Sequence, residues 1–530
     1  MQTRAAPSWC RVARPACNAP MPAKLKRKKH LSAIRQAAWM GSRARHRHAS
    51  IGPAPLSARS RLLAGVALAA LLGGCASYAP LPLAQHTAAH SVAQLRAPLA
   101  DMPAAGLVAH RYDPSDGLDA TEVAMLAVAN SPELKLKRDE LGLSRAQAFA
   151  AGLLPDPQLA LAEDFPHPPG PGLTKAYSFG LSEDVGALLT RSTRVAAARA
   201  QADQVNLELL WAEWQTVAQA RLLFDQVLNL RAKQVVLDRE QHALAPVGQY
   251  VRIALRAGNL TYDAASAGLN AESDLAQRLA TNTTALHQAQ ADLHGLLGLA
   301  GDAPLSLTGA PYQPTPTDAQ TTEALAELPR RRPDLLALQA GYRAQEASVR
   351  GAIRAQFPAL TLGFTRARDT SNISTSGFTI GVSLPLFDRN RGNIAIAQAT
   401  RQQLHDDYAA RLLTASNDLQ RLRGDLQTLD QQHRALTTHA RELDAARHSA
   451  ERAWQARLLD WPTYLAIRSG ALAADLDLLD VQQEQARQAI ALQALLGNTG
   501  LAVTPASSMP ASSAPAPASS SATPVQVPTS

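Results

Sequence analysis

The sequence predicts an α+β membrane protein in which four strands per chain close a trimeric twelve-stranded β-barrel, continuous with a long periplasmic α-helical coiled-coil barrel. Three observations carry this. The chain beyond residue 119 reads as two copies of one unit, each copy holds two short period-two segments, and each copy ends in two very long helical runs.

The tandem duplication comes first because it constrains the fold most. Ser131-Pro132-Glu133-Leu134 recurs as Arg332-Pro333-Asp334-Leu335, and Phe179-Gly180-Leu181-Ser182 as Ile380-Gly381-Val382-Ser383, both at an offset of 201. Leu293-His294-Gly295-Leu296-Leu297-Gly298 recurs as Leu492-Gln493-Ala494-Leu495-Leu496-Gly497 at an offset of 199. Each unit opens with a helix, Ala120 to about Leu154 and Pro333 to about Phe357, stopped by prolines that cannot continue it. The units are expected over 120–310 and 324–500.

The strands alternate large apolar with small residues. Tyr177, Phe179 and Leu181 alternate with Ser178, Gly180 and Ser182, and Leu360, Leu362 and Phe364 with Thr361, Gly363 and Thr365. Phe378, Ile380, Val382 and Leu384 alternate with Thr379, Gly381 and Ser383, and Leu159 and Leu161 give a weaker version of the pattern. Such alternation, in strands of about ten residues, fits a barrel wall with its apolar side in lipid. Four strands cannot close a barrel, and open edges in lipid strand backbone hydrogen-bonding groups, so three chains of four strands are expected.

In the helical runs, Leu188 to about Arg256 meets only Pro246 and Gly248 as breakers, giving a rod on the order of 100 Å. Leu412, Ala415, Leu419, Leu422, Leu426, Leu429, His433, Leu436 and Leu443 keep a 3,4 spacing that reads as a coiled-coil seam, with His433 a tolerated polar residue on it.

The charge supports a membrane destination. The formal net charge is +8, which invites a nucleic-acid reading, but residues 1–74 hold 14 Lys or Arg and no Asp or Glu. The rest carries 38 basic against 44 acidic residues, so nucleic acid loses its basis as a partner. Arg59 and Arg61 precede an apolar run from Leu62 to Gly74, too short to span a bilayer as a helix but fitting a secretory signal. It ends in Leu72-Gly73-Gly74-Cys75, a lipobox-like stretch that makes Cys75 the expected lipidation site, and Ala76-Ser77 fit outer-membrane sorting. Residues 1–74 are thus read as leader, 75–119 as a lipidated linker and 501–530, rich in Ala, Ser and Pro, as a disordered tail. With Cys10 and Cys17 in the leader, no disulfide or Cys metal site is expected. No GxxxxGK[ST], GxSxG, HExxH or paired CxxC occurs, so neither enzyme, cofactor nor metal is predicted.

The lipobox, Gly152-Leu153-Leu154-Pro155-Asp156-Pro157, the stretch Gly381-Val382-Ser383-Leu384-Pro385-Leu386-Phe387-Asp388 and the two Leu-Leu-Gly repeats resemble the TolC-type outer-membrane efflux channel family, above all its lipid-anchored, NodT-like members. The resemblance runs from about Ala120 to Gly497. It implies a homotrimeric channel-tunnel in a Gram-negative outer membrane that docks by its helix tips to a periplasmic adaptor protein and so to an inner-membrane efflux pump. It carries no catalysis. It places the docking tips at Gly258, Asn259, Thr261 and Tyr262 and at Asp460, Thr463 and Tyr464. Many relatives ring the entrance with acids just inside the second tip, but here that stretch is Leu465-Ala466-Ile467-Arg468. Either Asp263 and Asp460 set the constriction or Arg468 makes it basic. A coiled-coil lipoprotein without a channel, and an outer channel for type I protein secretion, stand as the other readings.

Overall fold

The computed structural model describes residues 78–83, 88–96, 112–168, 170–309 and 318–497, so Cys75, the leader and the tail lie outside the described residues. The chain divides into two compact units, Met1–Leu83 and Ala84–Ser530. In the first, residues 78–83 carry neither helix nor strand. The rest of this description concerns the second.

Its elements run α1 (Ala120–Asn130), α2 (Pro132–Gly152), β1 (Gln158–Asp164), β2 (Ala176–Asp184), α3 (Gly186–Arg256), α4 (Tyr262–Leu297), α5 (Asp318–Arg331), α6 (Pro333–Arg354), β3 (Leu360–Arg368), β4 (Ser374–Val382), α7 (Arg391–Gln455) and α8 (Trp461–Leu496). The same order, two short helices, two strands and two long helices, occurs twice. The first predicted helix is in fact two. Ser131 turns out of helical geometry, its side chain accepts a hydrogen bond from Leu134 N, and Pro132 starts α2 where a missing N–H does no harm. Pro333 starts α6 in the same way, preceded by Arg332. Asp119 and Glu122 close a capping box on α1.

The four strands form one antiparallel sheet in the order β1-β2-β3-β4, so the two repeats meet at the β2–β3 pair. The strands are seven to nine residues long, shorter than the alternation suggested. Leu384 lies beyond the end of β4: Ser383 N still donates to Ala359 O at 3.1 Å, and the ladder stops before Pro385, which has no N–H to give.

No described helix is long and apolar enough to cross a membrane. α3, of 71 residues, runs past the whole assembly and packs on α2 and α6 near the sheet and on α4 and α8 further away. α7, of 65 residues, packs on α6 and then α8. The main core lies where α1 wedges between α3 and α4: Val123, Ala124, Leu126 and Ala127 meet Trp214, Val217 and Phe224 of α3 and Leu293 and Leu297 of α4. Gly298 and Gly497, the ends of the two Leu-Leu-Gly repeats, both take left-handed geometry just past their helices. A Cβ on Gly497 would come within 2.7 Å of the Trp214 ring, so that glycine is also demanded by close packing.

Candidate conduit wall and helix-tip site

The register settles which side chains share a face of the sheet, since directly paired residues point the same way. Leu159 pairs with Leu181, Leu181 with Phe364 and Phe364 with Phe378. Leu161 pairs with Phe179, Leu362 with Ile380 and Leu360 with Val382. Tyr177 joins them at the far end, opposite Arg368. Every predicted apolar wall residue within the strands therefore lies on one face, and the rings of Phe364 and Phe378 stand 5.5 Å apart. The opposite face carries Ala160, Gly180, Thr365 and Gly377 in one row and Ser182, Gly363 and Thr379 in the next. The outer edges of β1 and β4 have no strand partner within the described residues.

Beside the sheet, the wall of α2, α3, α6 and α7 holds a groove of about 870 Å³ lined mostly by amides and hydroxyls, among them Gln147, Gln201, Gln204, Gln345 and Asn393, together with Arg194.

At the other end are two helix–turn–helix tips with one backbone design. In the first, the N–H groups of Ala257, Gly258 and Asn259 donate to the carbonyls of Ile253, Leu255 and Ala254. In the second, those of Ala456, Arg457 and Leu458 donate to Arg452, Trp454 and Ala453, the same three bonds displaced by 199 residues. Gly258 has φ of 71° and Arg457 has φ of 58°, so the arginine adopts the left-handed turn that glycine takes without strain. Asp460 caps α8 by accepting from Thr463 N at 3.1 Å, and Asp263 sits in the first turn of α4, where its charge suits the helix dipole.

The side chains differ. Around the first tip Gly258, Asn259, Thr261, Tyr262 and Asp263 are all exposed, Tyr262 by 80%. Trp461, which aligns with Tyr262, is buried and packs with Val247, Val251, Ala265 and Leu465, close enough to Gly268 that a Cβ there would lie 3.1 Å from its ring. Tyr464 is 1% exposed and stacks on Trp454 with ring centroids 5.3 Å apart.

A buried ion network lies behind Tyr464. Arg468 Nε and Nη2 donate to the two carboxylate oxygens of Glu240 on α3, each at 2.8 Å, and Nη1 donates to Glu451 on α7 at 2.9 Å and to the Tyr464 hydroxyl at 3.0 Å. The Tyr464 hydroxyl in turn donates to Glu451. Burial opposes the charge on Arg468, but the hydrogen bonds and charge of Glu240 outweigh it and raise its pKa. Burial, with the Glu451 carboxylate next in effect, pushes the Tyr464 phenol up to about 12. The hydrogen bond from Tyr464 leads in holding Glu451 below its ordinary value. Further along, Lys233 pairs with Asp480, Arg239 with Asp475, and Asn229 Nδ2 donates to Leu479 O at 2.6 Å. These bonds fasten α3 to α8 at several levels.

Comparison with known proteins fits this geometry. Residues 324–498 match the model of the family described as outer membrane efflux protein. The cobalt-zinc-cadmium resistance protein CzcC of Cupriavidus metallidurans is 28% identical over 325 residues, 58% of this chain and 74% of that protein. Outer membrane protein OprJ of Pseudomonas aeruginosa is 28% identical over 281 residues, 50% of this chain and 57% of that protein. The crystal structure of outer membrane protein VceC from Vibrio cholerae superposes with a TM-score of 0.59 at 18% identity, covering 74% of this chain and 99% of that one. The second repeat thus matches the outer membrane efflux protein family, and the fold over three quarters of the chain is similar to that of VceC.

Two residues that the family resemblance assigned to function sit elsewhere. Tyr464 is packed inside and is not available on the tip surface, because Trp454 and Glu451 hold both its ring and its hydroxyl. Arg468 does not make a basic entrance: it is 6% exposed and its charge is met by Glu240 and Glu451. Asp263 and Asp460 are the exposed carboxylates at the tips. Sequence reasoning missed Glu240, Glu451 and Trp461. Only Trp461 left a signal, its alignment with Tyr262 at the repeat offset. Among the described residues, no cluster of His, Cys, Asp or Glu is arranged to hold a metal.

Proposed function

We propose that this chain is the outer-membrane channel of a tripartite efflux system, a homotrimer that passes substrates delivered by an inner-membrane pump and a periplasmic adaptor to the outside. The observation that carries it is the sheet: one face gathers all the large apolar strand residues, with Glu163, Glu183, Arg366 and Arg368 toward its ends, the other is built mostly of Gly, Ala, Ser and Thr, and among the described residues neither outer edge has a strand partner. An apolar face of this kind suits outer-membrane lipid, and edges in lipid need partners. Three copies joining β4 to the next β1 give twelve strands and leave no edge. The small-residue face and the amide-lined groove then border a water-filled lumen.

The first tip, with Gly258, Asn259, Thr261 and Tyr262 exposed, is the adaptor-docking surface, and on the second tip Asp460 and Thr463 remain accessible to it. Asp263 and Asp460 are the charges nearest the entrance. Residues 120–310 and 324–500 form the two repeats, and Cys75 carries the lipid anchor. The purified full-length protein, examined by native mass spectrometry and in planar lipid bilayers, is expected to be a trimer with stepwise ion conductance. A monomer that gives no conductance even with an adaptor present would refute the channel.

A further inference from the structure

The helical wall beside the sheet has a second groove, of about 430 Å³, between α2 and α3. Along α3 the amide-lined groove takes Thr190, Thr193, Arg194, Ala197 and Gln201, whereas the second takes Arg191, Ser192, Val195 and Arg199. At about 100° per residue these two sets point roughly half a turn apart, so the grooves open on opposite faces of the wall. Their chemistry differs as well. The second groove has Phe149 and Leu153 in its lining, both well exposed, with the guanidinium groups of Arg191 and Arg199 beside them.

Arg191 Nε donates to Gly152 O at 2.8 Å, which fixes that guanidinium at the rim. From α6, Arg354 Nη1 donates to Ser192 Oγ at 2.8 Å, bringing a third cation to the same edge. Among the described residues none of these three arginines has a carboxylate within ion-pair distance. Arginines further along the rod do: Arg239 with Asp475, Arg252 with Glu272, Arg447 with Asp444, and Arg468 with Glu240. Arg199 lies thirteen residues into α3, so the groove sits within about 20 Å of the first strand residues.

We propose that this groove binds the phosphate headgroup of an anionic phospholipid in the periplasm-facing leaflet, with an acyl chain laid over Phe149 and Leu153. The inference rests on the reading of the sheet as membrane-embedded. Planar guanidinium groups match phosphate oxygens in pairs. Exposed apolar residues next to cations at the end of a membrane segment suit the bilayer interface. A lining mostly of amides and hydroxyls, with Arg194 as its cation and no exposed aromatic, suits water, so the two grooves divide between lumen and lipid.

The test uses the full chain and the variant R191Q/R199Q/R354Q in micelles doped equally with phosphatidylglycerol and phosphatidylcholine. Retained lipid is read by native mass spectrometry, and conductance is recorded on the same preparations. R434Q, which alters an exposed rod arginine paired with Asp430, is the control. The parent protein is expected to enrich phosphatidylglycerol, the triple variant to lose that enrichment by on the order of tenfold or more, and R434Q to keep it. Should the triple variant not assemble, R191Q and R199Q carry the test singly, each with a loss of about threefold. Unchanged enrichment in the variants, or none in a conducting parent, overturns the lipid assignment and leaves the channel standing. A parent that neither inserts nor conducts removes the membrane reading itself.

Discussion

The two helix tips share a backbone and differ in almost everything attached to it. Three equivalent turn hydrogen bonds and one left-handed residue recur 199 residues apart, yet Tyr262 stands in solvent and Trp461 is packed away. Leu269, which aligns with Arg468, is part of no ion network, whereas Arg468 ties α8 to α3 and α7. Turn geometry is thus a local property carried by a few main-chain bonds, while the role of a tip depends on what packs behind it. The first tip is a surface and the second a joint.

The largest expected effect that would break this contrast is at Trp461. W461A empties a buried aromatic site and should cost about 3–5 kcal/mol, whereas Y262A should leave stability within about 0.5 kcal/mol and weaken adaptor capture instead. Urea unfolding together with an adaptor pull-down checks both. If Y262A destabilises as much as W461A, the tips are equivalent after all.

R468M leaves Glu240 buried without its cation, a loss of about 3–5 kcal/mol, while L269M should change little. Denaturation midpoints of the two variants measure the difference directly.

A smaller effect is expected from Y464F. It removes a hydroxyl that joins Glu451 to Arg468, at a cost of about 1–3 kcal/mol near neutral pH. Folding favours the protonated phenol, whose pKa is raised from 10.0 to about 12. That contribution is whole below pH 10 and is lost as pH climbs toward 12. Alkaline melting curves should therefore fall over this window more steeply for the parent protein than for Y464F.

Smallest of all, R457G relieves a left-handed arginine and should stabilise by up to about 1 kcal/mol, whereas G258A should destabilise by about the same amount. Equal and opposite shifts in thermal midpoint would show that both turns carry one conformational demand.

Much of this molecule is legible in its sequence for identifiable reasons. Period-two alternation locates the strands because each presents one face to large side chains and one to small, and it goes astray only at Leu384, where the apolar pattern outlasts the ladder. The break at Ser131 is written in the Ser131-Pro132 pair, a cap followed by a proline suited to a first helical turn, but Pro132 alone does not separate one kinked helix from two, and the capping hydrogen bond to Leu134 N decides the matter. The tips are harder again. Periodicity speaks for one helix at a time, and nothing near Arg468 announces that Glu240, 228 residues earlier, arrives to neutralise it. An arginine near a predicted pore mouth reads as a gate until its neighbours on other helices are known.

The meeting of the repeats at β2–β3 has a consequence for how such a protein can diversify. The pair β2–β3 joins the last strand of one repeat to the first of the next, and that is the same junction an incoming copy would supply between β4 and β1. A ring of six identical half-length chains would satisfy the same geometry, but its six tips would be bound to change together. In the proposed trimer, two halves held in one polypeptide leave alternate positions of the ring free to mutate separately. Tyr262 and Trp461, an outward residue and an inward one at the same point of a repeated turn, are what that freedom has produced.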